Sequence, residues 1–398
     1  MSLFATIFYL VLMALVFACA AWDRRKHRVV PSQTALTIVV PCYNDGATVR
    51  DTVASVFDCW PRKQLEVVVI DDASTDDSAL RINALAAVYP IRVVTSSRNR
   101  GKAACLNAVV AEAAHELVLI LDADTELNPE ALGDMLARLE ADPKLGAVSC
   151  PYRPANRGFL AAMQAIEYNM LRLVQGAANV SSGLALWGGC LLMRRTPFQR
   201  LGGFYLGAIT EDVDLAFRLN RAGWRVQQSF RFVHSHVPAT LRAWVKQKLR
   251  WTGGGFQCIF RYPLVWVHHP LQPLFSLSYL LLITGGISAQ VTDTSLLDIV
   301  AYALQLQEWG LSNRVIGHLI NHSYGDVLLQ KLISTVSFYL LSVAYVLPMV
   351  RDFSQWLKIL LIVPFSMAYF PAYTLVTAAG FLFWLFVLRP LPMHQRAW

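Results

Sequence analysis

Charge is scarce in this chain. Only 16% of its 398 residues are Asp, Glu, Lys or Arg, against roughly 25% in an average soluble domain. The shortage is concentrated. Residues 1–22, 262–292, 332–350 and 359–388 hold no charged side chain at all. Each run is long enough for a membrane helix, which takes about 20 apolar residues, so membrane spans are expected there. No C-x-x-C pair occurs among the seven scattered cysteines. Neither a zinc framework nor, with an odd count, a disulfide scaffold fits that pattern. Reduced thiols suit a cytoplasmic domain. No internal repeat and no low-complexity segment is present, and no basic residue precedes the first apolar run as it would in a signal peptide.

What charge there is lies in telling places. Arg24, Arg25, Lys26 and Arg28 follow the first run. The positive-inside rule then puts the N-terminus outside and residues 23–262 in the cytoplasm, behind a retained anchor. The loop 292–330 carries Asp293, Asp298, Glu308 and Asp326 against Arg314 alone, and is expected outside. The net charge of +8 comes from basic residues beside apolar stretches, which fits an anionic membrane surface better than nucleic acid. Four regions are expected: an anchor over 1–22, a catalytic domain over 35–236, an interface helix over 237–262 and a membrane region over 263–398.

The cytoplasmic part reads as α/β. Strands are expected at 36–41, 65–71, 91–95, 117–121 and 147–150, with helices at 46–57, 76–88, 101–114 and 129–140. Runs such as "LEVVVI" and "ELVLIL" suit strands covered on both faces, as in a parallel sheet of Rossmann-like kind. Ligands of such sheets bind beyond the carboxyl ends of the strands. Three polar clusters stand there: "PCYND" at 41–45, "DDASTDD" at 71–77 and "DADTE" at 122–126. No G-x-G-x-x-G follows the first strand, so a dinucleotide fingerprint is missing. Acidic strand ends suggest a metal instead. Asp122 and Asp124 offer the oxygen ligands that Mg²⁺ or Mn²⁺ takes together with phosphate. Asp71 and Asp72 form a similar pair, or a turn. Lys102, after Gly101 at a helix start, suits a phosphate.

Two further segments carry chemistry. In "ITEDVDLAF", 209–217, three carboxylates open a helix that should stop at Gly223. Thr210 is placed to cap it, and acids there offset the helix dipole. In "VKQKLRWTGGG", 245–255, Gln247, Arg250 and Trp251 share one helix face, and Leu241, Val245 and Leu249 form another stripe. This helix should lie at a membrane interface, with Arg242 and Lys248 as plain interface residues. The Gln/Arg/Trp face can bind sugar and phosphate.

Taken in order, "PCYND", "VVVIDDASTD", "GKAACLN", "LDADTELNP", "ITEDVDLAFRL" and "QKLRW" resemble the processive family-2 glycosyltransferases, the membrane synthases of cellulose, hyaluronan, chitin oligomers and poly-N-acetylglucosamine. The resemblance covers roughly residues 35–260 and is closest in kind to compact bacterial poly-N-acetylglucosamine or chitin-oligomer synthases. It implies a GT-A fold in a bacterial inner membrane, with Mg²⁺ or Mn²⁺ as cofactor. Its implied partners are a UDP-sugar, the growing polysaccharide, membrane lipids and a small membrane accessory subunit, without nucleic acid. By the same resemblance Tyr43, Asp71 and Asp72 would meet the nucleoside, Lys102, Asp122 and Arg250 the diphosphate side, and Asp122 with Asp124 the metal. Asp212 would be the general base, and Glu211, Gln247 and Trp251 would face the acceptor. Asp45 departs from the Glu that many relatives carry after P-x-Y-N. The tail "RPLPMHQRAW" gives no sign of a cyclic-nucleotide-binding domain. Single transfer to a lipid phosphate and a non-catalytic translocation subunit stand as rival readings. The full Q-x-x-R-W face argues against the first, and the complete carboxylate set against the second.

Overall fold

The computed structural model describes residues 11, 14–23, 34–265, 369, 372–373 and 375–388. The chain divides into two compact units, Met1–Ala14 with Ser276–Leu375 and Leu15–Phe275 with Val376–Trp398. Almost all described residues belong to the second. Among the described residues no helix is long and apolar enough to cross a membrane. The spans expected over 262–292 and 332–350 lie almost wholly outside them, as does the loop 292–330, and those over 1–22 and 359–388 are described only in part.

Strand β1 (Leu36–Cys42) is flanked by β2 (Leu65–Asp71) and β4 (Leu117–Leu121), and β3 (Ile91–Thr95) lies beyond β2. All three pairings are parallel. Alternate residues face opposite sides, as the strand period requires. Leu36, Ile38 and Val40 pack against helices α1 (Val49–Cys59), α2 (Ser78–Ala86) and α4 (Pro129–Ala141). Val39, Val68 and Ile120 pack on the other face against α3 (Lys102–Ala111). Helix α4 starts sharply because the Asn128 side chain accepts the Ala131 amide and Pro129 stands at its first position.

Beyond β4 the sheet departs from the parallel arrangement expected. Strand β8 (Cys190–Arg194) runs antiparallel to both β4 and β6 (Leu145–Ser149), and β9 (Arg225–Gln228) pairs parallel with β6. The order is β3-β2-β1-β4-β8-β6-β9. Reversing β8 delivers the loop before it to the carboxyl end of β4, where ligands are held in such sheets. Three short strands, β5 (Thr125–Glu126), β10 (Val233–Ser235) and β7 (Tyr152–Pro154), form a second sheet over that edge. Between β7 and β8 runs α5 (Phe159–Ala178), followed after β8 by the short α6 (Arg195–Arg200), then α7 (Glu211–Arg221) and α8 (Leu241–Arg261).

Both ends of the described unit are tied to this body. The N-terminal helical residues 14–23 end on Asp23, which is buried and pairs with Arg138 of α4 at 2.9 Å. Near the C-terminus Trp384 stacks on Phe260 of α8 with ring centres 4.9 Å apart.

Candidate active site

A cavity of about 180 Å³ opens at the carboxyl ends of β1, β2 and β4. Tyr43, Asp45, Asp72, Lys102, Cys105, Asp122 and Asp124 line it. The carboxylate of Asp72 accepts the Arg100 amide at 2.9 Å and the Gly101 amide at 2.8 Å. Burial opposes the charge, but these bonds hold its carboxyl below the ordinary value. Asp72 thus shapes the turn that brings in Lys102. Asp71 lies apart. It is buried, and its side chain accepts the Ser74 amide at 3.0 Å within the following turn.

Lys102 bridges the pocket. Its ammonium donates to Asp122 at 2.5 Å and to the Gly188 carbonyl at 3.1 Å, and lies 3.7 Å from Glu211. Burial would lower this ammonium, but Asp122 and Glu211 outweigh it and hold it above its usual value. Asp124 shows the opposite balance. Burial, then the charge of Asp122, pushes its carboxyl up to about 7.

Two neighbouring carboxylates under that repulsion, offering oxygen donors alone, fit a hard divalent cation. Among the described residues no group of three or more His, Cys, Asp or Glu side chains gathers as a complete metal site. Asp122 and Asp124 would therefore supply part of a shell that phosphate oxygens finish.

Asp212 is reached through the Gly188–Gly189 turn ahead of β8. One of its oxygens accepts the Gly188 amide at 2.8 Å and the other the Val213 amide at 2.8 Å. A β-carbon at 188 would lie 2.7 Å from Asp212, and one at 189 would lie 2.6 Å from the Tyr152 hydroxyl and 2.8 Å from Asp122. Only glycines let the two acidic groups close on one turn. Burial, then Glu211, pushes the Asp212 carboxyl up to about 6, against the pull of Lys102 and Arg250. An ionised carboxylate of that strength can accept a proton near neutral pH.

The helix that carries Asp212 starts at Glu211 and ends at Arg221, before Gly223 with φ +82°. Its N-cap differs from expectation. Thr210 occupies the position, but its side chain makes no capping bond. The reason is packing: a β-carbon on Gly254 of α8 would lie 2.1 Å from the Thr210 hydroxyl oxygen, so the two helices meet there. Gln257 of α8 clamps the same loop, accepting the Ile209 amide at 2.9 Å and donating to the Gly207 carbonyl at 2.9 Å. Asp214 serves structure, pairing with Arg218 at 2.6 Å and accepting the Tyr262 hydroxyl at 2.8 Å.

On α8, Gln247, Arg250 and Trp251 are all half-buried. Trp251 joins an aromatic cluster with Trp187, Tyr168 and Tyr152. Lys248 is not the interface residue expected from its charge. It is fully buried, pairs with the equally buried Glu167 of α5 at 2.6 Å, and holds its ammonium 4.2 Å from the centre of the Trp251 ring. The long aliphatic stem passes into the aromatic cluster, and the ion pair with Glu167 makes burial of the charge tolerable. Arg242, by contrast, is exposed, as is Leu241 at 66%.

Residues 37–202 match the model of Glycosyl transferase family 2. This segment is similar to family-2 glycosyltransferase domains. The chain is 31% identical over 235 residues to a poly-beta-1,6-N-acetyl-D-glucosamine synthase of Staphylococcus aureus, an alignment covering 57% of this chain and 56% of that protein. The synthase of the same name from Staphylococcus epidermidis is 30% identical over 236 residues, with the same coverage. The chain thus matches little more than half the length of these relatives. In fold it is similar to the mannosyltransferase PcManGT from Pyrobaculum calidifontis, solved with GDP-Man and Mn²⁺. The TM-score is 0.52 at 21% identity, over 83% of this chain and 97% of that one.

The structure gathers Tyr43, Asp72, Lys102, Asp122 and Asp124 of the matched segment at one cavity, with Glu211 and Asp212, which lie beyond that segment, reaching it through Lys102 and Gly188. Gly188, Gly189 and Tyr152 have no counterpart among the residues expected from sequence. The Tyr152 hydroxyl accepts the Gly189 amide at 2.6 Å. Burial and the charges of Asp122 and Asp212 push its phenol well above the ordinary range, so it stays protonated. The doubled glycine directly before a strand, "WGGC", is the local signal that marks this turn.

Proposed function

We propose that the protein is a processive, inverting glycosyltransferase that polymerises a UDP-sugar into a β-linked polysaccharide. The approach of Lys102, Asp122 and Asp212 around the Gly188–Gly189 turn is the observation that carries this reading. It supplies a cation for a diphosphate, an oxygen site for a metal and a proton acceptor within one small region. The names of the staphylococcal relatives favour N-acetylglucosamine as the sugar. The aromatic cluster around Trp251 favours a polymer acceptor over a lipid phosphate.

In the reaction, the acceptor hydroxyl attacks the anomeric carbon from the face opposite the diphosphate. Asp212 accepts the hydroxyl proton as the new C–O bond forms. The bond to the diphosphate breaks, UDP departs, and an α-linked donor becomes a β product. Lys102 and Arg250 face the charge that develops on the leaving group. Asp122 and Asp124 would hold Mg²⁺ or Mn²⁺, which when bound acts as a Lewis acid toward the diphosphate. Trp251 offers a flat apolar face to the acceptor sugar.

The four uncharged runs support a membrane-embedded enzyme with its catalytic domain in the cytoplasm and its product passed across the bilayer. Small membrane accessory subunits and lipids are the partners that this placement suggests. Incubation of membranes with each UDP-sugar in turn, with sizing of the product, tests the proposal. Long polymer from UDP-N-acetylglucosamine is expected. One added sugar per acceptor would leave a single-transfer enzyme, and no release of UDP from any donor would leave a non-catalytic protein.

A further inference from the structure

Helix α7 carries Asp212 at its start and a second hollow at its end. The hollow has a volume of about 500 Å³ and is lined by Leu201, Arg218, Arg221, Ala222, Arg261 and Tyr262. Three guanidinium groups around one space repel one another, so their convergence needs a reason. Helix electrostatics gives part of it. Arg218 and Arg221 stand in the last turn of α7 and Arg261 in that of α8, where cations offset the negative helix end.

That reason is sufficient for Arg218 alone. Its Nε pairs with Asp214 at 2.6 Å, and its remaining nitrogens donate to the carbonyls of Leu201 at 3.1 Å and Gly203 at 2.7 Å. Asp214 is in turn occupied by Arg218 and the Tyr262 hydroxyl. Arg221 and Arg261 are exposed, and neither forms an ion pair among the described residues. The guanidinium of Arg261 lies 3.9 Å from the centre of the Tyr205 ring. Stacking of this kind fixes its plane, and its side chain also hydrogen-bonds Tyr205. No carboxylate lines the hollow, so it holds an excess of positive charge at two guanidinium groups that form no ion pair among the described residues.

We propose that this hollow binds the phosphate of an anionic phospholipid headgroup, with Arg221 and Arg261 as donors and Arg218 as a fixed charged wall. The chemistry recognised is a phosphate ester, which a soluble phosphate could also offer. The lipid is favoured by the apolar part of the lining and by position. Tyr262 is the first residue of the uncharged stretch 262–292, and Leu264 beside it is 69% exposed. A headgroup site at that point would place acyl chains along apolar surface. The choice of a lipid rests on the membrane reading above; the anion site does not.

The full chain, purified into nanodiscs of phosphatidylcholine and phosphatidylglycerol, tests this by native mass spectrometry of the lipids it retains. Preferential retention of phosphatidylglycerol is expected. Arg221→Gln and Arg261→Gln should each weaken that preference on the order of fivefold, the effect of about one basic residue at a membrane surface. Arg81→Gln, at an exposed arginine of α2 paired with Asp77, should leave it unchanged. Equal retention of both lipids, or an equal loss with Arg81→Gln, overturns the site. Displacement of phosphatidylglycerol by millimolar inorganic phosphate assigns the hollow to a soluble anion and overturns the lipid. If a glutamine variant misfolds, Arg221→Lys or Arg261→Lys keeps the charge but loses the forked donor. Undiminished retention in those variants overturns the guanidinium assignment. Lipid retention is read without turnover, so a chain that retains lipid but makes no polymer fails the functional reading and not this one.

Discussion

The Gly188 amide donates to Asp212 at 2.8 Å, and a β-carbon on Gly188 would sit 2.7 Å from the same carboxylate oxygen. The turn that orients the proposed base therefore also excludes any side chain larger than hydrogen. Gly188→Ala is expected to push Asp212 out of place. The rate should fall on the order of 10²–10⁴-fold, the usual worth of a positioned base, with UDP binding within a few-fold of the parent. Asp212→Asn should fall in the same range, and the double variant should lose no more than either alone. Additive losses in turnover assays would show that the glycine acts elsewhere.

The pH profile should report Asp212. Its carboxyl is pushed up to about 6 by burial and then by Glu211, and only the ionised form can take a proton. Turnover should therefore rise through pH 6 and level above it, with a tenfold fall per unit on the acid side. The stability sign is opposite. A carboxyl whose folded value lies above its unfolded value stabilises the fold when protonated, and that contribution is lost as pH rises through 6. Asp212→Asn should thus unfold at a higher temperature than the parent at pH 8, with the gap closing near pH 4. A parental profile flat from pH 5 to 8 would remove Asp212 from the proton transfer.

The sequence was most legible where the fold is most regular. Strands 65–71 and 117–121 stand where their apolar runs put them, because strands buried on both faces need no alternation. The region 150–208 was silent. Helix α5 buries Gln164, Glu167, Asn169 and Arg172 among its apolar residues, which blurs the period that betrays a helix. Lys102, Asp122 and Asp212 could be singled out because local motifs surround them. Gly188, Tyr152 and Lys248 could not, since each has its meaning in a partner distant along the chain: Asp212, Gly189 and Glu167. A lysine on an amphipathic helix looks like surface until its carboxylate is found.

Metal dependence should itself depend on pH. The Asp124 carboxyl is raised to about 7 by burial and by Asp122, so protons compete with a cation for that oxygen. EDTA should abolish turnover and Mg²⁺ or Mn²⁺ restore it. The concentration needed for half restoration should climb as pH falls below 7. Asp124→Ala should mimic the chelator at every pH. Full turnover in EDTA after extensive washing would end the metal-dependent reading.

The buried pair of Glu167 and Lys248 offers a test of how the proposed acceptor platform is held. Both side chains are fully buried, 2.6 Å apart, and the ammonium lies 4.2 Å from the Trp251 ring centre. Glu167→Gln leaves a buried cation without its partner, which costs on the order of 3–5 kcal/mol. Chemical denaturation of the solubilised protein should show that loss. A Glu167→Leu, Lys248→Met double variant removes both charges and should recover most of the stability. It should not recover synthesis, because the indole has then lost the cation that covers one of its faces. With that face occupied in the parent, the proposed acceptor contact falls to the opposite one. Trp251→Phe should keep part of the elongation rate and Trp251→Ala almost none, each with UDP affinity near the parent. The deciding quantity is polymer formed per mole of folded, UDP-binding protein. A double variant that elongates at the parental rate would show that Lys248 serves stability alone. A Trp251→Ala variant doing the same would remove the platform itself.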